Sequence, residues 1–166
     1  MLYKIRVILD TEEDVIRDLA IHDNATLEEL HKTIVNAFGF DGSEMASFYM
    51  TDNQWIQGEE IPLFDMSDAN DTVVMQNFFI KDILKFEQDK LIYVYDFFSM
   101  WSFFVELISI SEDTEKSELP KLLIAVGTVP KIAPEKQFKS EKLEASDEEF
   151  GEFEDLDDFD FDEFVN

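Results

Sequence analysis

Cysteine is absent from the 166-residue chain, which removes disulfides, thiolate nucleophiles and Cys-ligated zinc or iron–sulfur centres at once. The redox compartment stays open. Histidine is almost as scarce: His22 and His31 are the only two, and no HxxxH or HExxH spacing joins them, so no metal site is expected. Glycine occurs singly at positions 39, 42, 58, 127 and 151, too dispersed for a GxGxxG or Walker loop. No cofactor is therefore expected. No serine sits in a GxSxG setting either. Positive charge is the next deficit, with 13 Lys and Arg against 39 Asp and Glu, a net charge of −26. Binding phosphates requires a basic footprint, so direct contact with nucleic acid or an anionic membrane is disfavoured. The apolar runs fall short of the roughly 18 residues that a spanning helix needs. MLYKIRVILD carries Lys4 and Arg6 where a signal peptide would carry a long apolar region. A soluble cytoplasmic protein is the expectation.

What is present suffices for one globular core. The chain is 45% hydrophobic and holds 17 Phe, over a length typical of one domain. Its acidity is uneven: residues 141–166 hold 13 carboxylates and one lysine, a net −12 that leaves −14 for residues 1–140. A body over 1–140 and an acidic, Phe-rich segment over 141–166 are the expected parts.

Tyr3, Ile5, Val7 and Leu9 alternate along a first strand, and VIRDLAI from Val15 to Ile21 repeats the pattern across the short polar DTEED, which predicts a hairpin. Thr26 with Glu29 forms a capping box, Leu27, Leu30, Ile34 and Phe38 make one apolar stripe, and Gly39 stops the helix. A hairpin followed by a helix laid across it is how a β-grasp begins. ASFYMTDNQWI reads as a strand with a polar turn, GEEIPLFDMSDAND as a long loop, and Ile80 to Phe86 as a short helix. Leu91 to Phe97 and Trp101 to Ile110 read as a hairpin, and Lys121 to Val126 as a last strand bounded by prolines. The predicted fold is α+β: a single β-grasp-like domain with a mixed sheet, two helices and an acidic C-terminal segment.

This order of motifs resembles the plasmid pRiA4b ORF-3-like family. The resemblance rests on Arg17, Leu27, Leu30, His31, Phe38, Gly39, Tyr93, Tyr95, Asp96, Phe97 and Trp101, with DDFDFDEFVN similar to the ending of many relatives. Phe98 and Ser99 stand where the family pattern has Gly-Asp, and Phe103 stands where it has His. The resemblance implies a fold and a set of core or turn residues; it implies no activity.

Asp96 and His31 are the candidate catalytic residues. Desolvation among aromatics would raise the pKa of Asp96 and suit it to proton transfer, whereas the structural reading has it capping a turn. His31 reads as a satisfied, partly buried helix residue, and His22 as a loop residue. Alternation puts Tyr93, Tyr95 and Phe97 on one core face, with exposure of part of this aromatic surface as the alternative. In the tail, DLDDFDFDEF lacks the glycine and the final glutamate of a calcium loop. Phe150, Phe153, Phe159, Phe161 and Phe164 make it a possible interaction segment, and a capping box at Ser146 and Glu149 favours docking on its own domain. The functional expectation is a non-catalytic interaction or regulatory protein of mobile-element or plasmid-associated type, with a protein partner and a monomeric state. The alternatives are an acidic DNA mimic that occupies a nucleic-acid-binding protein, and an unrecognised or vestigial hydrolase using Asp96.

Overall fold

The structure, a computed structural model, describes residues 1–65, 73–112 and 118–133. The acidic segment, with Phe150, Phe153, Phe159, Phe161 and Phe164, lies outside the described residues. Strand β1 (Leu2–Leu9) pairs antiparallel with β2 (Ile16–His22), in register from Leu2 opposite His22 to Ile8 opposite Ile16. His22 thus ends a strand instead of lying in a loop. Strict alternation buries Tyr3, Ile5, Val7 and Leu9 on one face. Helix α1 (Leu27–Phe38) follows, with both halves of the Thr26–Glu29 capping box made and Gly39 at φ 81° as its left-handed C-cap.

Strand β3 (Ala46–Thr51) turns back through 52–56 into β4 (Gln57–Pro62). Much of GEEIPLF, expected as loop, is therefore strand: β4 pairs with β3 from Ser47 opposite Pro62 to Thr51 opposite Gln57. A 3-10 turn at Met75–Asn77 and the one-turn helix α2 (Ile80–Ile83), shorter than the expected Ile80 to Phe86, lead into β5 (Lys90–Tyr95). Strands β6 (Trp101–Ser111) and β7 (Lys121–Val126) complete a seven-stranded sheet in the order β4-β3-β5-β6-β1-β2-β7. Each of its pairings is antiparallel, which corrects the expected mixed sheet. Strand β1 lies between β2 and β6 and runs opposite to both, so the β1–β6 contact needs no parallel crossover.

The buried stripe of α1 and one face of the sheet share one core. Leu27, Leu30, Ile34 and Phe38 meet Ile5, Val7, Tyr93, Phe103, Val105 and Leu107, with Phe38 set edge-on to Phe103 at 4.8 Å. Burying each such side chain contributes about 1.5–3 kcal/mol, which is why an amphipathic twelve-residue helix is held here although it would be marginal alone. Across the opposite face, Asp18 is fully buried beneath Arg6, which donates from Nε and Nη2 at 2.9 and 3.0 Å to its two carboxylate oxygens. Two-point pairing of this kind compensates the desolvation that a lone carboxylate would suffer. No described helix is long and apolar enough to cross a membrane.

Candidate functional site

Five of the residues that carry the family resemblance converge on one end of the sheet. Phe38 and Gly39 from the close of α1, Tyr95 and Asp96 from the close of β5, and Trp101 from the start of β6 line a cleft of about 550 Å³. Asp41, Ser43 and Glu44 of the following loop, and Val129, Pro130 and Lys131 beyond β7, complete it. Local chemistry holds each group in place. Tyr95 Oη donates to Asp41 Oδ1 at 3.1 Å and accepts from the Glu44 amide at 3.3 Å. The amide and hydroxyl of Ser43, and then the Tyr95 hydroxyl, hold the Asp41 carboxyl below its usual range. Phe40 stacks on Tyr95 at 5.0 Å and packs against Trp101 at 4.9 Å, closing the floor.

Arg17 is the structural tie beneath this end. Its guanidinium is buried and meets no carboxylate among the described residues; it donates to Ala37 O (3.0 Å), Ile16 O and Val126 O (both 2.9 Å) and Gly127 O (3.3 Å). Ala37 O belongs to the last turn of α1, where the helix leaves carbonyls unpaired and where positive charge is favoured. The same group lies 5.1 Å above the Phe38 ring. One side chain thus joins α1, β2 and the end of β7. Burial pushes its pKa down from the ordinary arginine value.

Asp96 caps a turn. Its backbone is left-handed (φ 63°), its Oδ1 accepts from the amides of Phe98 and Ser99 at 3.2 and 3.4 Å, and its carbonyl accepts from the Met100 amide at 2.6 Å. The left-handed residue also breaks the strand alternation. Phe97, expected on the core face beside Tyr93 and Tyr95, is consequently exposed, and Phe98 is 97% exposed. Tyr93, Tyr95, Trp101 and Phe103 do line the core, as the alternation predicts.

His31 is more deeply buried than expected. Its Nδ1 lies 2.6 Å from Tyr93 Oη, and burial lowers its pKa to about 4, so a neutral ring shares a hydrogen bond with the Tyr93 hydroxyl. Burial likewise raises Tyr93 well above the usual tyrosine value. His31 and Asp96 line different, adjoining cavities: His31 borders one of about 420 Å³ with Glu28, Val35 and Met45, and Asp41, Ser43 and Glu44 line both. The structure therefore does not bring the two candidate catalytic groups together. Among the described residues, no group of three or more His, Asp or Glu is arranged to hold a metal ion. Leu30 is a core residue of α1.

Sequence reasoning left one surface unremarked. At one edge of the sheet, β7 exposes Leu122, Leu123, Ile124 and Val126, each between 42 and 47%. At the other, β4 presents Gln57, Gly58, Glu59 and Glu60. The signal was available: KLLIAV has no polar alternation, although among the described residues it pairs along one side only, with β2.

Among solved structures, the chain is similar to a crystal structure of a protein of unknown function, MM3350, from Methanosarcina mazei Go1. The TM-score is 0.60 at 19% identity, covering 75% of this chain and 68% of that one. That likeness concerns the fold alone. No curated protein matches the chain. The family described as plasmid pRiA4b ORF-3-like protein matches residues 1–164, a span that takes in Arg17, His31, Phe38, Gly39, the Tyr93–Trp101 stretch and the FDFDEF run near the end; the chain belongs to that family.

Proposed function

We propose that the chain is a non-catalytic protein-interaction module of the cytoplasm, built on a β-grasp-like hairpin and helix, that engages a protein partner along strand β7. The observation that carries this reading is the contrast between the two edges of one sheet. Edge strands expose unpaired amides and carbonyls, and soluble proteins commonly blunt them with charge. Strand β4 follows that rule with Glu59 and Glu60, whereas β7 presents four large apolar side chains with Lys121 as its only charge. An apolar edge of this kind suits an extended partner segment, which would add main-chain hydrogen bonds and seat alternate side chains. A second copy of the chain is a poor occupant, because two bodies of −26 repel. The polar groups that chemistry would need are engaged structurally: His31 with Tyr93, Asp96 with its turn, Tyr95 with Asp41.

The test places a photo-crosslinking residue at Leu123 of the full-length chain in the cells that express it. A discrete adduct is expected, lost when Ile124→Lys adds charge to that edge and kept when Glu59→Lys alters the other. An adduct indifferent to Ile124→Lys, or none at all, defeats the reading.

A further inference from the structure

The turn that Asp96 closes displays an aromatic side chain that the fold does not use. Phe98 is 97% exposed and Phe97 is 42% exposed, and both sit at the tip of the β5–β6 hairpin. The tip is well ordered by its own bonds. Asp96 Oδ1 accepts two amide protons, the Met100 amide closes the turn, and the Asp96 amide donates to Met45 O at 2.7 Å, tying the tip to the 39–45 loop. A phenylalanine in water on an ordered backbone loses only side-chain rotamer freedom when it is buried by a partner, which suits an interface anchor.

Its surroundings specify the partner. The Asp10 amide donates to Ser102 O at 2.8 Å, which brings the β1–β2 loop beside the base of the same hairpin. That loop contributes Asp10, Glu12, Glu13 and Asp14; the cleft beside the tip contributes Asp41, Glu44 and Asp96. Against these seven carboxylates the four segments 10–14, 39–45, 96–100 and 127–133 hold one lysine, Lys131. Next to it Ile132, 83% exposed, adds a further apolar group. The arrangement is an apolar centre within an acidic rim, the pattern of a protein interface whose partner carries the opposite charge. We infer that Phe98, with Phe97 beside it, is the anchor of a second docking surface that fits a basic protein, inserting into an apolar pocket bordered by lysine or arginine. The inference rests on the reading of the chain as an interaction module but uses neither β7 nor its occupant.

A host molecule of the partner's chemistry tests the surface directly. Heptakis(6-amino)-β-cyclodextrin is an apolar socket ringed by ammonium groups, and unmodified β-cyclodextrin is the same socket without charge. Titrated into the full-length protein and followed by NMR, the cationic host should shift residues 96–100 and bind at least about tenfold more tightly than the neutral one at low salt. Raising the ionic strength should close that gap. Phe98→Ser, at a solvated position, should abolish binding without lowering the melting temperature; Phe86→Ser, at the opposite end of the sheet, should leave it unchanged. Equal affinity for the two hosts as read at residues 96–100, or shifts there that survive Phe98→Ser, overturns the inference. A photo-crosslinker at position 98 should also capture in cells a protein whose labelled site is an apolar pocket with a Lys or Arg border; a neutral or acidic border overturns it too. Failure in these arms leaves the β7 reading standing, and loss of the Leu123 adduct alone removes only that reading.

Discussion

At the scale of single residues, burial sets the behaviour of His31. Its pKa falls to about 4 from the usual 6.5, because a charged imidazole in the core would lose its hydration. The unfolded chain titrates at the ordinary value, so between those two values it binds a proton that the folded chain does not. Stability is then complete above pH 6.5 and declines as the pH falls toward 4, by about 2 kcal/mol between pH 7.5 and 5. His31→Gln should destabilise the protein at pH 7.5 by removing the bond to Tyr93, yet flatten this decline. Urea unfolding of both proteins at the two pH values isolates the effect, since the carboxylates titrate alike in each. A wild type that loses no more than the variant would place the ring in water. Little of this was visible beforehand: an isolated histidine on the apolar side of a helix suggests burial, but its partner Tyr93 lies 62 positions away. Two of the four carbonyls around Arg17 were hidden for the same reason, lying more than 100 residues downstream.

Elements were legible where their signals are local. Alternation marked β1, β2, β5 and β6, and Thr26, Glu29 and Gly39 marked both ends of α1. Strand β4 was illegible because Ile61 is its one buried residue, while Gly58 and Pro62 are loop residues by propensity; only pairing with β3 makes it a strand. At the far edge the corresponding constraint is Gly127. It sits at φ 81°, and a Cβ there would come within 2.1 Å of Asp14 O, so the end of β7 can close onto the β1–β2 loop only without a side chain. Gly127→Ala should therefore lower stability by about 2 kcal/mol, from left-handed strain together with the clash. The loss should be local first. Hydrogen exchange at 121–126 should accelerate more than in β1 or β6, and uniform acceleration would mean that β7 opens only with the whole sheet.

For the whole molecule, like charge opposes compaction. A net −26 on 166 residues repels itself across any compact surface, and the Debye length falls from about 30 Å at 0.01 M salt to about 8 Å at 0.15 M. The melting temperature should rise over that range; a fall would show that pairs such as Arg6 with Asp18 outweigh the repulsion. The sheet order also sets a sequence of events. Strand β1 lies between a neighbour that follows within a few residues and another, β6, that follows roughly a hundred residues later, and such non-local pairings slow folding. On a ribosome adding about 5–20 residues per second, the first hairpin waits roughly 5–20 s with the edge meant for β6 uncovered. During that wait Lys4 and Arg6, which meet Asp18 across the same hairpin, put positive charge along the uncovered strand, a feature that disfavours pairing with the wrong chain.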